Sequence, residues 1–445
     1  MESGHRFRFL LLFLFLLNCL STLRSQSADV ARGNQTEAQT EHLKFAVVFT
    51  RHGVRSPTGK GDAANAYSST PWPEWEVAPG YLTAHGAELM RLVGAYDRQW
   101  LAQEGLLAAD GCADAAHIRI LADSDQRTRE TGKAWARGFA PACELTVSAR
   151  AEGTADPLFH PLEASVGHPD KQQAAAEVMA RLGGKPESLA PLHQNELQLL
   201  EEVLTGCKSV NACPATSGAA PHSLFELPAS VHAGSGDHMV DLRGPLSLAA
   251  TLSENLLLEY TEGFSGTKLG WGRLDHTTLS QLIELHTANE DLTQRSPSVA
   301  RAQASNLLFH MEKSMEEAIE QKPVNGALIA NGDKLLLLVG HDTNLANLSG
   351  ALHLNWTLDG RADDTPPGSA LVFEVWEGTH GTESIKAYFT TQTLDQMRNA
   401  TPLTLAAPPE RVAVAIPGCS NSDGICSWSS FQTVVERAVN QEFVK

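Results

Sequence analysis

Three short apolar segments, each followed at once by a polar sequence, limit the possible folds more than any other feature of the chain. They are Leu43–Thr50 (LKFAVVFT), His117–Ala122 (HIRILA) and Lys334–Val339 (KLLLLV). Continuous apolar runs of this length are typical of strands buried on both faces of a sheet. Helical patterns follow the second and third runs. Strands that lead into helices predict an α/β domain with a central mixed or parallel sheet flanked by helices.

The chain between about residues 156 and 290 has a different pattern. Helical runs dominate there, separated by the Ser/Gly/Pro-rich stretch Pro214–Gly236. We predict that 156–290 is a smaller, mostly helical domain that interrupts the α/β domain and divides it into residues 42–155 and 291–445. Two later runs with strand character are predicted to complete the sheet: Ser369–Trp376 and Ile385–Thr391.

The first residues have the pattern of a targeting signal. Basic residues precede the apolar stretch Phe9–Leu17, and small residues follow around Ser25–Ala28. This predicts a cleaved signal peptide at 1–28, followed by a polar lead-in at 29–41 that we expect to be disordered. The protein is therefore expected to be secreted or periplasmic, free of the membrane after cleavage, and monomeric.

The charge of the chain excludes some partners. With 34 basic and 52 acidic residues, the formal net charge is −18 at pH 7. A general nucleic-acid binder or anionic-membrane binder needs a broad basic surface, so neither partner is expected. An anionic small molecule remains possible, because a few clustered arginines can hold a phosphate in an acidic protein.

Six of the seven cysteines follow the predicted signal peptide. An even number of cysteines in an exported protein predicts disulfides. Spacing alone leaves the connectivity open, and the simplest arrangement is Cys112–Cys143, Cys207–Cys213 and Cys419–Cys426. Because no CxxC pair occurs, a zinc site is not expected.

The polar sequences that follow the three strands are RHGVRSP, DSDQRTR and GHD. In open α/β sheets, ligands bind beyond the carboxyl ends of the strands. If the three strands are parallel, one edge of the sheet collects Arg51, His52, Arg55, Arg127, His341 and Asp342. From the sequence alone, Arg129 is as good a candidate as Arg127 for the arginine that lies at this edge. Four other histidines are interpreted as structural or surface residues: His160, His168, His193 and His276.

This set of side chains is suited to phosphoryl transfer. Arginines offer a fork of donors that matches phosphate oxygens. A neutral His52 can attack phosphorus if a hydrogen bond to its other ring nitrogen fixes the tautomer. Asp342 can protonate the departing oxygen and later help a water molecule attack the phosphohistidine. Such chemistry requires no metal and no cofactor, and none is expected.

RHGVRSPTG together with GHDTN resembles the histidine acid phosphatase branch of the phosphoglycerate-mutase-like superfamily, and within it the periplasmic bacterial phytases. The similarity extends over nearly all of the chain after the predicted signal peptide, including DPLFHPL, LGWGRLD, QRSPSVAR and GHDTNLANLSGALHLNWTLDGRADDTPPGSALVFEVW. It implies a large α/β domain interrupted by a smaller α domain, with the active site between them. It also implies that the three cysteine pairs lie at family disulfide positions.

The resemblance implies a role for individual residues of this chain. His52 matches the family nucleophile and Asp342 the proton donor. The residues that match those gripping the scissile phosphate are Arg51, Arg55, Arg127 and His341. Thr58 and Thr343 match positions that touch the substrate in phytases.

Two departures from the phytase pattern bear on specificity. Gly59 stands where close phytases have a lysine directly after Pro-Thr, with Lys60 one position later, and the segment Thr251–Asn255 also differs. We expect a phosphomonoester as substrate, with phytate the first choice and a glucose-1-phosphatase-like or broad-specificity acid phosphatase as the alternative. The signal peptide and GHD argue against a metabolic mutase. Intact His52 and Asp342 argue against a phosphate-binding protein without turnover.

Overall fold

A computed structural model describes residues 41–59, 61–208, 210 and 221–445. The predicted signal peptide and nearly all of the predicted lead-in lie outside the described residues. The same is true of Cys213, and therefore of the predicted pairing of Cys207 with it. The N-terminal residue of the described chain, Glu41, accepts a hydrogen bond from Lys386 (2.8 Å).

One sheet of eight strands forms the centre of the α/β domain. Its strand order is β11-β10-β9-β1-β6-β2-β3, with β12 paired to β10. Two small hairpins, β4–β5 and β7–β8, lie outside it. The strands are β1 (His42–Arg51), β2 (Ile118–Ala122), β3 (Val147–Ser148), β4 (Ser230–Ala233), β5 (Val240–Arg243), β6 (Leu335–Gly340), β7 (Thr357–Leu358), β8 (Arg361–Ala362), β9 (Ala370–Glu377), β10 (Glu383–Thr391), β11 (Glu410–Val414) and β12 (Ile425–Ser427).

The three strands that carry the polar motifs are adjacent and parallel. β6 lies between β1 and β2 and pairs with both in parallel. β9 pairs with the other side of β1 in the antiparallel direction, so the sheet is mixed. The predicted fold class is confirmed, and the strand bounds shift from the predicted ones by one or two residues.

Helices cover both faces of this sheet. In the described ranges, no helix combines the length and the apolar character needed to cross a membrane. The helices are α1 (Gly61–Asn65), α2 (Ala84–Gln103), α3 (Gln126–Phe139), α4 (Lys171–Arg181), α5 (Leu189–Leu192), α6 (Gln194–Thr205), α7 (Pro245–Thr261), α8 (His276–Thr293), α9 (Pro297–Glu320), α10 (Asp342–Leu352), α11 (Leu394–Arg398) and α12 (Trp428–Ala438).

Successive side chains of β1 point to opposite faces of the sheet, so this one strand contributes to two hydrophobic cores. Phe45, Val47 and Phe49 point to the face covered by α9, α10 and α12. Ala46 and Val48 point to the opposite face, covered by α2 and α3. Because every side chain of this run is buried, the segment is apolar throughout instead of alternating with polar residues.

A third hydrophobic core lies mainly among α4 to α8. Helices predominate between residues 171 and 293, where the structure adds the short hairpin β4–β5 to the helices expected from the sequence. The proposed bounds of the inserted domain, 156–290, stay a prediction.

Two of the predicted disulfides are present. Cys112–Cys143 joins the segment after α2 to the segment after α3, with 5.6 Å between the Cα atoms. Cys419–Cys426 closes the loop before β12, with a Cα separation of 5.1 Å.

Candidate active site

The ends of the three parallel strands bring the polar motifs to one edge of the sheet. Arg51, the last residue of β1, pairs with Gly340, the last residue of β6. The His52 N–H donates to the Gly340 carbonyl (2.9 Å), and the Asp123 N–H donates to the Val339 carbonyl (3.0 Å). These bonds continue the ladder beyond the strands and fix where each motif begins.

Glycines allow the turn after β1 to lie against α2. A Cβ at Gly53 would lie 2.9 Å from the Cγ of Met90, and one at Gly86 would lie 2.2 Å from the carbonyl oxygen of Val54. Any larger residue would force the turn away from the helix. The Gly53 N–H also donates to the hydroxyl of Thr131 on α3 (2.9 Å). The loop that carries His52 is therefore held from both sides.

The His52 imidazole is buried and held in one orientation. Its Nδ1 lies 2.9 Å from the carbonyl oxygen of Gly53, which can only accept, so Nδ1 carries the proton and Nε2 keeps its lone pair. Burial lowers the pKa of His52 well below its ordinary value, and the positive charges of Arg127 and Arg51 lower it further. His52 is therefore a neutral imidazole with a free Nε2.

Arg51 is the fully buried centre of the charge network. Its Nη1 donates to the carbonyl of Thr365 (2.5 Å). Its Nη2 contacts Asp342 Oδ2 at 2.8 Å and also donates to Glu254 Oε1. Asp342 is the first residue of α10, directly after the N-cap His341, where the helix dipole favours a negative charge.

Asp342 is ionised in the free protein. Burial, the largest single influence, would raise the pKa of its carboxyl, but the combined charges of Arg51, His286 and Arg55 outweigh it. The pKa of Asp342 is therefore held below its ordinary value. A proton donor in this position needs a second event, such as the arrival of a phosphate, to take up its proton.

Glu254 is a component of the site that sequence reasoning missed. It lies on α7 and its Oε1 also lies 3.8 Å from Nη2 of Arg55, so it bridges two arginines. Burial would raise its pKa, but Arg51, His286 and Arg55 lower it below its ordinary value. A glutamate within the apolar helix sequence LAATLSENLLLEY was the available signal.

Arg127, and not Arg129, faces the site. Its Nη2 lies 2.5 Å from Asp125 Oδ2 and 3.4 Å from Nδ1 of His341. Arg129 instead contacts Glu152 at 3.3 Å, on the exposed side. Residues two positions apart on a helix lie on nearly opposite sides, which separates these two candidates.

His341 belongs to a hydrogen-bond network that the sequence did not predict. The Nε2 atoms of His341 and His160 both contact Asp123 Oδ2, at 2.8 Å and 3.2 Å. His160, interpreted from the sequence as structural or at the surface, thus lies two contacts from the site. One potential ligand atom from each of these residues lies within 4.8 Å of the others, a spacing that could also accommodate a metal ion.

A cavity of about 420 Å³ has a wall built from the residues that directly follow Arg55 and from the helix turn that carries Glu254. The exposed Thr58 lies in this wall, whereas Thr343 lies at the start of α10, where its N–H donates to Asp342 Oδ1 (2.8 Å). The lining residues are Ser56, Pro57, Thr58, Gly59, Ala63, Ala64, Trp72, Pro73, Glu74, Trp75, Val77, Pro79, Leu248, Thr251, Leu252 and Asn255.

His52 and Arg55 follow strand β1, and His341 and Asp342 follow the neighbouring strand β6. This arrangement in a mixed sheet is typical of a class of phosphoryl-transfer proteins. The chain belongs to the histidine phosphatase superfamily (branch 2), whose pattern it matches over residues 42–390. The predicted family is confirmed.

Three proteins show what the chain resembles. It is 38% identical to phytase AppA of Escherichia coli strain K12 over 95% of this chain and 96% of that protein. It is 29% identical to the glucose-1-phosphatase of Salmonella typhimurium over 91% and 94% of the two chains. The Hafnia alvei phytase in complex with myo-inositol hexakis sulphate superposes with a TM-score of 0.81, at 35% identity, over 91% of this chain and 99% of that one.

Proposed function

We propose that this histidine acid phosphatase hydrolyses phosphate monoesters through a covalent phosphohistidine on His52, with Asp342 as general acid. The observation that carries the proposal is the free Nε2 of a neutral His52, which lies in a site shared with Arg51, Arg55 and Arg127. The charges of these arginines lower the pKa of His52, and guanidinium groups are suited to hold the oxygens of a phosphoryl group.

In the first step, His52 Nε2 attacks phosphorus and the bond from phosphorus to the ester oxygen breaks. The proton of Asp342 passes to that oxygen, so a neutral alcohol leaves. In the second step, a water molecule attacks the phosphohistidine and gives a proton to the Asp342 carboxylate. The phosphorus–nitrogen bond breaks, inorganic phosphate leaves, and His52 returns to its neutral form.

Substrate binding explains how Asp342 becomes a donor. Arg51 holds the Asp342 carboxylate ionised in the free protein. A bound phosphate shares the Arg51 guanidinium and adds negative charge next to the carboxylate, and both changes raise the pKa of Asp342. Proton uptake is then favoured at acidic pH, so we expect an acidic optimum.

Phytate is the proposed substrate, on the similarity to the two phytases. The cavity whose wall includes the residues after Arg55 supports a second candidate, a sugar phosphate or another monoester with an uncharged alcohol. Among its described lining residues, Glu74 alone is charged, and Trp72 and Trp75 supply aromatic surface. A substrate with several phosphates normally requires several cationic contacts.

Steady-state kinetics distinguish the two substrates. We would measure kcat/KM for phytate and glucose 1-phosphate from about pH 3 to about pH 8, a range that covers the titration of a carboxyl group in a complex. A higher value for phytate supports the phytase assignment. A preference for glucose 1-phosphate would refute that assignment and leave the phosphatase mechanism intact.

The mechanism has its own test. Acid or denaturant quenching of the wild type during turnover, followed by digestion, should locate phosphate on His52. Phosphate on a serine or an aspartate would contradict the proposal.

We also propose that the protein is exported from the cytoplasm, which is supported by the signal-like N-terminus and the two disulfides. We propose a monomeric state as well.

A further inference from the structure

A chain of four side chains runs from the active site toward the protein surface. His341 Nε2 contacts Asp123 Oδ2 at 2.8 Å, and His160 Nε2 contacts the same oxygen at 3.2 Å. On the far side of His160, Nδ1 contacts Asp237 Oδ2 at 2.8 Å. The rings of His160 and His341 lie 5.1 Å apart between centroids. Two carboxylates and two imidazoles therefore alternate along one line of contacts.

His160 lies between two carboxylates, which can only accept hydrogen bonds when ionised. Both of its ring nitrogens must then carry protons, and His160 is an imidazolium. The pKa of His160 reflects this position: burial lowers it, but the contacts with Asp123 and Asp237 dominate and raise it to about 10. The side chain of Asp237 is 25% exposed, so the far end of the chain reaches solvent.

Asp123 is a buried carboxylate held by two histidines. Its side chain is 1% exposed, and Oδ1 finds no hydrogen-bond partner among the described residues. Burial would raise its pKa, but the hydrogen bonds from His160 and His341 lower it below its ordinary value. Without His160, one buried carboxylate with a single partner would remain.

We propose that His160 and Asp237 act as positioning residues for the phosphatase reaction: they hold Asp123 ionised and oriented, so that His341 keeps its Nε2–H on Asp123 and turns Nδ1 toward the phosphate site. This inference rests on the proposed function. The Nδ1 of His341 lies 3.4 Å from Nη2 of Arg127, on the side of the arginine cluster. When a phosphate binds, Nδ1 can take up a proton and donate to it, because ionised Asp123 stabilises the resulting imidazolium.

The pH dependence follows from the sign of the shift on Asp123. His160 lowers the pKa of Asp123, so removing His160 raises that pKa. As pH falls, Asp123 is then protonated sooner, and His341 loses its acceptor sooner. The acid limb of kcat/KM should therefore move to higher pH. The other charged or titratable groups around Asp123 and His160 are Asp125, Arg127, Asp156, Asp237 and His341.

The test compares His160→Leu, His160→Gln and Asp237→Asn with the wild type on p-nitrophenyl phosphate. Leu removes both the charge and the donor, Gln keeps a neutral donor, and Asn at 237 weakens the far support of His160. His168→Leu is the matched control, because His168 is exposed and lies in the same loop. Thermal unfolding of each variant shows that it is folded under assay conditions.

We expect His160→Leu to move the acid limb of kcat/KM up by about one pH unit, which lowers kcat/KM about tenfold at pH values on that limb, since one unit of pKa corresponds to a tenfold change. His160→Gln should restore part of the rate, and Asp237→Asn should shift the limb by a smaller amount. His168→Leu should match the wild type. Imidazole nitrogen NMR shifts should show His341 protonated at Nε2 in the wild type and a mixture of tautomers in the His160→Leu variant.

An acid limb that stays in place in folded His160→Gln and Asp237→Asn would overturn the inference. If His160→Leu does not fold, these two variants decide the question. A wild type that releases no phosphate would overturn the proposed function together with the inference. Active wild type with unshifted variants would overturn the inference alone.

Discussion

Replacing Asp342 with Asn tests the proton donor while leaving most of the phosphate site in place. The amide of Asn cannot transfer a proton to a departing oxygen. Arg51 loses its contact of 2.8 Å with the Asp342 carboxylate but keeps Glu254 and the Thr365 carbonyl as acceptors. We therefore expect the guanidinium to stay in position and inorganic phosphate to bind with an affinity close to that of the wild type.

The size of the loss in kcat/KM caused by Asp342→Asn depends on the leaving group of the substrate. General acid catalysis contributes about 10²–10⁴-fold to a rate. At about 1.4 kcal/mol for each factor of ten, this corresponds to roughly 3–5 kcal/mol of the activation barrier. An alkyl phosphate such as glycerol phosphate or phytate needs this proton, because an alkoxide is a poor leaving group. The nitrophenolate of p-nitrophenyl phosphate departs readily, so its loss should be no more than about tenfold.

The assay is phosphate release from both substrates by the wild type and the Asp342→Asn variant, with inorganic phosphate affinity measured by competition. Asp423→Asn is the control, because Asp423 is exposed and lies in the loop before β12. Equal losses of kcat/KM on the alkyl and the nitrophenyl ester would refute the role of Asp342 as general acid. A loss confined to phosphate affinity would assign it to binding instead.

Three further predictions concern the nucleophile, metals and the first disulfide. His52→Ala should reduce turnover by roughly 10⁴-fold or more, since the mechanism depends on that one nucleophile, whereas a residual rate near the wild-type value would exclude it. EDTA should leave phosphate release unchanged, because arginines supply the charge stabilisation; loss with recovery on adding zinc would contradict this. Replacing both Cys112 and Cys143 with Ser should lower the free energy of unfolding by about 3–4 kcal/mol for a sequence separation of 31, as measured by denaturant titration of oxidised wild type and variant. Unchanged stability would contradict that prediction.

Much of the fold could be predicted from the sequence because its signals are local. A strand buried on both faces must be apolar throughout, so β1 and β6 are visible as continuous runs. Parallel strands end at the same edge of a sheet, so the residues covalently attached to those ends had to meet there. The placement of His52 and Asp342 at one edge of the sheet was predicted in this way, and their catalytic roles stay a prediction. The hairpin β4–β5 lay within a Ser/Gly/Pro-rich stretch and its flank, and its short strands gave no comparable pattern.

The sequence by itself determined which strands end in polar side chains, and it named six residues that the structure brings to one edge of the sheet. Only the tertiary structure decided the partners that reach the site from distant segments. Glu254 is 203 positions from Arg51, and Asp123 is 218 positions from His341. The ionisation of Asp342 was equally out of reach, because it is set by burial and by the distance to Arg51. Periodicity reports which face of an element is buried, whereas pKa values depend on separations in space that no local pattern records.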